Sequence, residues 1–184
     1  MNSRNKLIVL DAGHGGKDPG AVGENLQEKK PALDIALMAE EMLEEAGFTV
    51  ILTRLNDYFV ELRERADIAN DADADIFVSI HHNGFSDKQA NGIETLFHPN
   101  SINGRKLASE IQTKLVWKLD RSDRGIKGRQ DLYVLNKTVM PAVLTEVGFV
   151  TNPEEQELLK TCTFKFKAAR AITQGIIKYF REVN

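Results

Sequence analysis

The chain has 184 residues, 42% hydrophobic and 28% charged, with a formal net charge of −3. That size and apolar content suit a single domain with a sizeable core. The balance of charge is neither that of a disordered chain nor that of a nucleic-acid-binding surface. The single cysteine, Cys162, rules out an internal disulfide and a cysteine-rich zinc site, and reads as an ordinary thiol. No stretch reaches the ~18 apolar residues of a membrane span. The four apolar residues Leu7 to Leu10 fall short of a signal-peptide core. We therefore expect no membrane insertion and no signal peptide in these residues.

Lys6 to Asp11 (KLIVLD) reads as a buried strand. The loop AGHGGKDPGAVG follows, too rich in glycine for helix or strand. In PALDIALMAEEMLEEA, Leu33, Leu37, Met38 and Met42 recur at helical spacing, so Pro31 to Ala46 is expected to be a helix. Pro31 suits its first turn and Gly47 its end. Phe48 to Thr53 is a second strand. Val60 to Asn70 is a helix with Leu62, Ala66 and Ala69 on one side. Asp75 to Ile80 is a strand running directly into His81, and Gly92 to Phe97 is a fourth. Ser101 to Leu119 is a long helix. Asp131 to Leu135 and Ala142 to Glu146 are further strands. Asn152, Pro153 and Glu155 form an N-cap, an N1 proline and a capping-box glutamate. The last helix spans Phe164 to Arg181. This alternation predicts one α/β domain over residues 1–184, with a mostly parallel sheet and helices on both faces.

In such sheets ligands bind beyond the carboxyl ends of the strands. His14 follows the first strand, His81 ends the third, and Glu146 ends a late one. Glu28 stands at the entry to the first long helix. Two histidines and a carboxylate form a zinc set that leaves a position for water. His82 faces away from His81 if the strand continues, and His98 reads as an ordinary loop residue. Glu146 lies between AVLT and VGF. A carboxylate there needs a partner to offset its burial, and proximity to a metal would provide one. The residues alone reach an α/β hydrolase with a possible zinc site, since the spacing is not of the short HExxH kind.

The blocks IVLDAGHGGKDPGAVG, DIFVSIHHN, GIETLF and MPAVLTEVGFVTN run in order along nearly the whole chain. Together they resemble the zinc-dependent N-acetylmuramoyl-L-alanine amidases of the amidase-3 type. The resemblance implies a six-stranded mixed sheet flanked by helices. It implies one Zn2+ held by His14, Glu28 and His81, with Glu146 as the catalytic glutamate. The bond cut would be the amide joining N-acetylmuramic acid to L-alanine in peptidoglycan. Glu146 would take a proton from water and return it to the leaving amine. Action would be at the cell wall or outside the cell.

Two features depart from the family pattern. His82 replaces the alanine that often follows the histidine ligand, so its role is open. The stretch from Asn83 to Gly92 is too short for the regulatory helix of some relatives, so the site should be open without an activator protein. Stem peptides carry carboxylates, which makes Arg124, Lys127 and Arg129 candidate substrate contacts, with His82 and Asn83 beside them. No cell-wall-binding repeat is visible, and a monomer is the default. The alternatives are another zinc hydrolase of wall peptides and a non-catalytic wall-binding module.

Overall fold

The computed structural model describes residues 6–183. Part of the N-terminal segment read above for a signal peptide therefore lies outside the described residues. The elements run β1 (Leu7–Ala12), α1 (Lys29–Glu45), β2 (Thr49–Leu52), α2 (Leu62–Asp71), β3 (Ile76–Asn83), β4 (Ile93–Phe97), α3 (Ile102–Leu119), β5 (Asp123–Gly128), α4 (Tyr133–Lys137), β6 (Ala142–Phe149), α5 (Pro153–Lys160) and α6 (Cys162–Val183). The sheet has six strands in the order β2-β1-β3-β6-β4-β5. Strands β2, β1, β3 and β6 are mutually parallel. Strand β4 runs antiparallel to β6, and β5 is parallel to β4. The expected mixed, mostly parallel sheet is what forms.

Side chains alternate across each strand, and both faces are covered. Ile8, Leu10, Ile76, Val78, Ile80 and Val143 meet the inner faces of α1, α3 and α6 in the larger core. Val9, Phe77, Leu96 and Leu144 meet Ala69 of α2 and Val134 and Leu135 of α4 in a smaller one. Because β4 is reversed, its first residues, Ile93 and Glu94, sit beside the carboxyl ends of β1, β3 and β6. That end of the sheet is where the site forms.

Three expectations are corrected. The strand expected at Asp131 to Leu135 is not there: Tyr133–Lys137 is helix α4, and the edge strand is β5, Asp123–Gly128. DRGIKG carries one apolar residue, two glycines and three charges, so it has little strand signal. It is an edge strand paired only with β4, and charge on an edge discourages pairing with other chains. Leu62 does not join the core but is exposed on α2. Asn152 caps α5 as expected, accepting from the Glu155 N–H at 3.0 Å. Glu155, however, does not reach back to the cap. Its carboxylate accepts the N–H of Gly92 at 2.9 Å and of Phe149 at 2.8 Å, tying the entry of β4 to the end of β6.

A candidate metal centre at the carboxyl end of the sheet

His14, Glu28 and His81 come together from three elements: the loop after β1, the start of α1, and β3. Their ligand atoms all lie within 4.8 Å of one another. Glu28 is the buried hub. Its Oε2 is 3.1 Å from His14 Nε2 and its Oε1 is 2.9 Å from His81 Nδ1. The same oxygens accept the N–H of Ala21 at 2.7 Å and of His82 at 2.9 Å, which fixes the carboxylate plane. Asp18 Oδ2 meets His14 Nδ1 at 2.8 Å, leaving Nε2 turned toward Glu28. A carboxylate on the outer ring nitrogen is the usual means of orienting a metal-ligating histidine. Burial would raise the Glu28 pKa, but the two histidines hold it well below the ordinary value. Burial would lower that of His14, yet Glu28 and Asp18 raise it to about 9.

The glycines of the loop serve this packing. A Cβ on Gly13 would stand 2.3 Å from the His81 ring, and one on Gly20 2.5 Å from Glu28 Oε2. His14 itself has φ 60°, a left-handed conformation costing roughly 1–2 kcal/mol in a non-glycine residue. Two buried arginines hold the loop in that shape. Arg54 donates to the carbonyls of Ala12 at 2.9 Å, Gly13 at 2.8 Å, Lys29 at 2.9 Å and Asn56 at 3.1 Å. Arg65 donates to the carbonyls of Ala12 at 2.8 Å and His14 at 2.7 Å, and to Asp11 Oδ1 at 2.6 Å. Burial would raise the Asp11 pKa, but Arg65, Ser79 and Thr53 bring it below normal, so Asp11 stays charged beneath Arg65. Sequence reasoning overlooked Arg54 and Asp18.

The sheet register places Glu146 beside His81, and Glu94 beside Glu146. Residues in register share a face, so His81, Glu146 and Glu94 form one row across β3, β6 and β4. Glu146 is partly buried, and its Oε2 is sealed from solvent with no hydrogen-bond partner. Burial pushes its pKa up to about 7. The His81 charge opposes this, and the Glu28 and Glu94 charges add to it. Sequence reasoning missed Glu94, although a lone glutamate in the apolar strand GIETLF carries the signal recognised at Glu146. Glu94 accepts from Asn83 Nδ2 at 3.1 Å, Arg124 Nε at 3.2 Å and Lys127 Nζ. Burial would raise its pKa, but Lys127 and Arg124 keep it below normal.

Asn83, Arg124 and Lys127 are thus brought to the site through Glu94. Arg129 is exposed and engaged with Asp131 at 2.7 Å. The structure does not bring His82 to the site surface. It points to the opposite face of β3, is 1% exposed, and meets the Val147 carbonyl through Nδ1 at 2.7 Å. Burial lowers its pKa to about 4, which keeps the ring neutral. Beside His14 and His81 lies a cavity of about 440 Å³, walled by Phe59, Val60 and Leu62 on one side and Leu132 and Tyr133 on the other. The exposed Leu62 finds its explanation there.

The chain is similar to known proteins along almost its whole length. The family model described as N-acetylmuramoyl-L-alanine amidase (Amidase_3) matches residues 8–178. N-acetylmuramoyl-L-alanine amidase LytC of Bacillus subtilis is 41% identical over 178 residues, covering 96% of this chain and 36% of LytC. The chain therefore spans about a third of that relative's length. The germination-specific N-acetylmuramoyl-L-alanine amidase of Bacillus subtilis is 34% identical, covering 96% of this chain and 81% of its own. The CwlD amidase of Clostridioides difficile, solved in complex with the GerS lipoprotein, superposes with a TM-score of 0.94 at 36% identity, covering 98% of this chain and all of CwlD. By the family match along almost its whole length and by these relatives, the chain belongs to the Amidase_3 family of N-acetylmuramoyl-L-alanine amidases.

Proposed function

We propose that the chain hydrolyses the amide between N-acetylmuramic acid and L-alanine in peptidoglycan. One zinc ion per chain is held by His14, Glu28 and His81, and Glu146 is the general base. The relatives' names support the choice of bond. The chemistry is supported above all by one observation: Glu146, with an unpartnered oxygen, stands one strand from His81 of the His-Glu-His cluster.

The donor set fits zinc, with two imidazoles, one carboxylate and an outer carboxylate on His14. When held there, the ion supplies Lewis acidity that activates water and polarises a carbonyl. The chain's own groups do the rest. Asp18, Arg54 and Arg65 keep the His14 loop in place. Glu146 accepts the proton of the attacking water at its carboxylate, then donates it to the leaving nitrogen of L-alanine. A carboxyl group poised near pH 7 suits both transfers.

The substrate is the cell wall, so the chain acts there or outside the cell. We also propose that it works as a monomer without an activator. Segment 84–92 carries no helix, and the side chains of His14 and His81 stay 22% and 18% exposed. No helix among the described residues is long and apolar enough to cross a membrane. Mass spectrometry of digested sacculi tests the reaction. Glycan strands free of peptide and stem peptides with a new L-alanine amino terminus are expected. Cleavage within the peptide instead would overturn it.

A further inference from the structure

We infer that Arg124 and Lys127 form a subsite for the α-carboxylate of D-glutamate, the second residue of the stem peptide. The chain should therefore prefer stem peptides in which that carboxylate is free over those in which it is amidated. This rests on the amidase reading above and adds the direction in which the peptide lies.

The row His81–Glu146–Glu94 sets that direction. Glu146 must reach the leaving nitrogen, so the scissile amide has its carbonyl toward the His-Glu-His cluster and its nitrogen over β6. The peptide beyond the nitrogen continues away from the cluster, toward β4 and β5. Neighbouring strands are ~4.8 Å apart. From the L-alanine nitrogen to the α-carboxylate of the next residue is about two residues of extended chain, roughly 7 Å. The first carboxylate of the leaving peptide thus falls between one and two strand spacings past Glu146, where Arg124 and Lys127 stand.

Those two cations are held in place and not fully used. Glu94, 7% exposed, binds both, and its other oxygen takes Asn83. Arg124 also donates to the Asn91 carbonyl at 3.2 Å, and its guanidinium carbon lies 5.0 Å from the centre of the Phe149 ring. Two cations facing one carboxylate leave a net positive charge. Among the described residues, Arg124 Nη2 and the remaining ammonium hydrogens of Lys127 have no protein partner. The side chains are 37% and 45% exposed. Charge-assisted bonds from a pre-positioned guanidinium and ammonium are the usual means of capturing a carboxylate. A carboxamide there is uncharged and offers one acceptor oxygen in place of two.

The test uses two synthetic substrates, N-acetylmuramoyl-L-Ala-γ-D-Glu-L-Lys and its analogue with an α-carboxamide at D-glutamate. With the zinc-loaded protein, kcat/KM should be at least tenfold higher for the free carboxylate, mainly through KM. Arg124→Gln and Lys127→Gln should each shrink that ratio at least threefold. Each variant leaves one cation on Glu94, so the buried carboxylate is never stranded. The ratio between two substrates in one preparation does not depend on the fraction folded. Equal use of both substrates by the unaltered protein, or a ratio unmoved by both variants, would overturn the subsite. Cleavage of neither substrate is a different result, and would overturn the amidase reading beneath it.

Discussion

Glu146 carries a conflict that a measurement can expose. Its pKa, raised to about 7 mainly by burial, lies above the ordinary 4.5, so the folded protein prefers the neutral acid. Above pH 7 the carboxyl group is charged in both folded and unfolded states, and the fold bears the cost of holding that charge. Below about pH 4.5 it is neutral in both, and the cost vanishes. The shift corresponds to roughly 2 kcal/mol once residual solvent access is allowed for. Metal-free Glu146→Gln should thus be about 2 kcal/mol more stable than the unaltered protein at pH 8, and equally stable at pH 4, by urea denaturation. An equal gain at both pH values would show that burial is not what perturbs this group. Arg54 offers a second test. One ammonium cannot replace a guanidinium bound to four carbonyls, so Arg54→Lys should weaken zinc binding tenfold or more in chelator competition. Unchanged affinity would mean that the loop does not depend on this clamp. The four residues of the centre were legible because each lies near an expected element boundary, although β3 and β6 run on past His81 and Glu146 to Asn83 and Phe149. Glu94 and Arg54 stayed hidden because their importance arises from partners distant in the chain.

Among the elements, legibility followed burial. Strands β1, β3 and β6 are apolar runs buried on both faces, and their ends were read correctly to within a few residues. Strand β5 was missed because its stability comes from pairing with β4 and not from its own apolar side chains. Residues 131–135 looked like a strand because tyrosine and valine favour one. Tyr133 to Leu135 open helix α4 instead, since Val134 and Leu135 pack against the α2 face of the sheet. Glu155 shows the same limit: its local pattern indicated a cap, while its side chain spans two strands. Glu155→Ala should leave the N–H groups of Gly92 and Phe149 unpaired and cost about 3 kcal/mol of stability. Chemical denaturation with an unchanged m value would check this, and a loss under 1 kcal/mol would contradict it.

For the molecule as a whole, the reversal of β4, with β5 beside it, against the four parallel strands has a functional consequence. It brings Glu94 to the same end of the sheet as His81 and Glu146, which a strand parallel to β6 would not do at its amino end. The His-Glu-His cluster then lies between an apolar cavity on the α2–α4 side and a cationic shelf on the β4–β5 side. With segment 84–92 free of helix, purified protein plus zinc should digest sacculi without any added protein. A rate that rises more than tenfold on adding a cell-envelope extract would contradict an open site. The most direct test of the account is zinc content, measured alongside the products released from peptidoglycan, for the unaltered protein and Glu146→Ala. One zinc per chain in both, with release of L-alanine-terminated peptides lost at least a thousandfold in the variant, is the predicted result. An unaltered protein that binds no zinc, or a variant that still cleaves at the original rate, would contradict it.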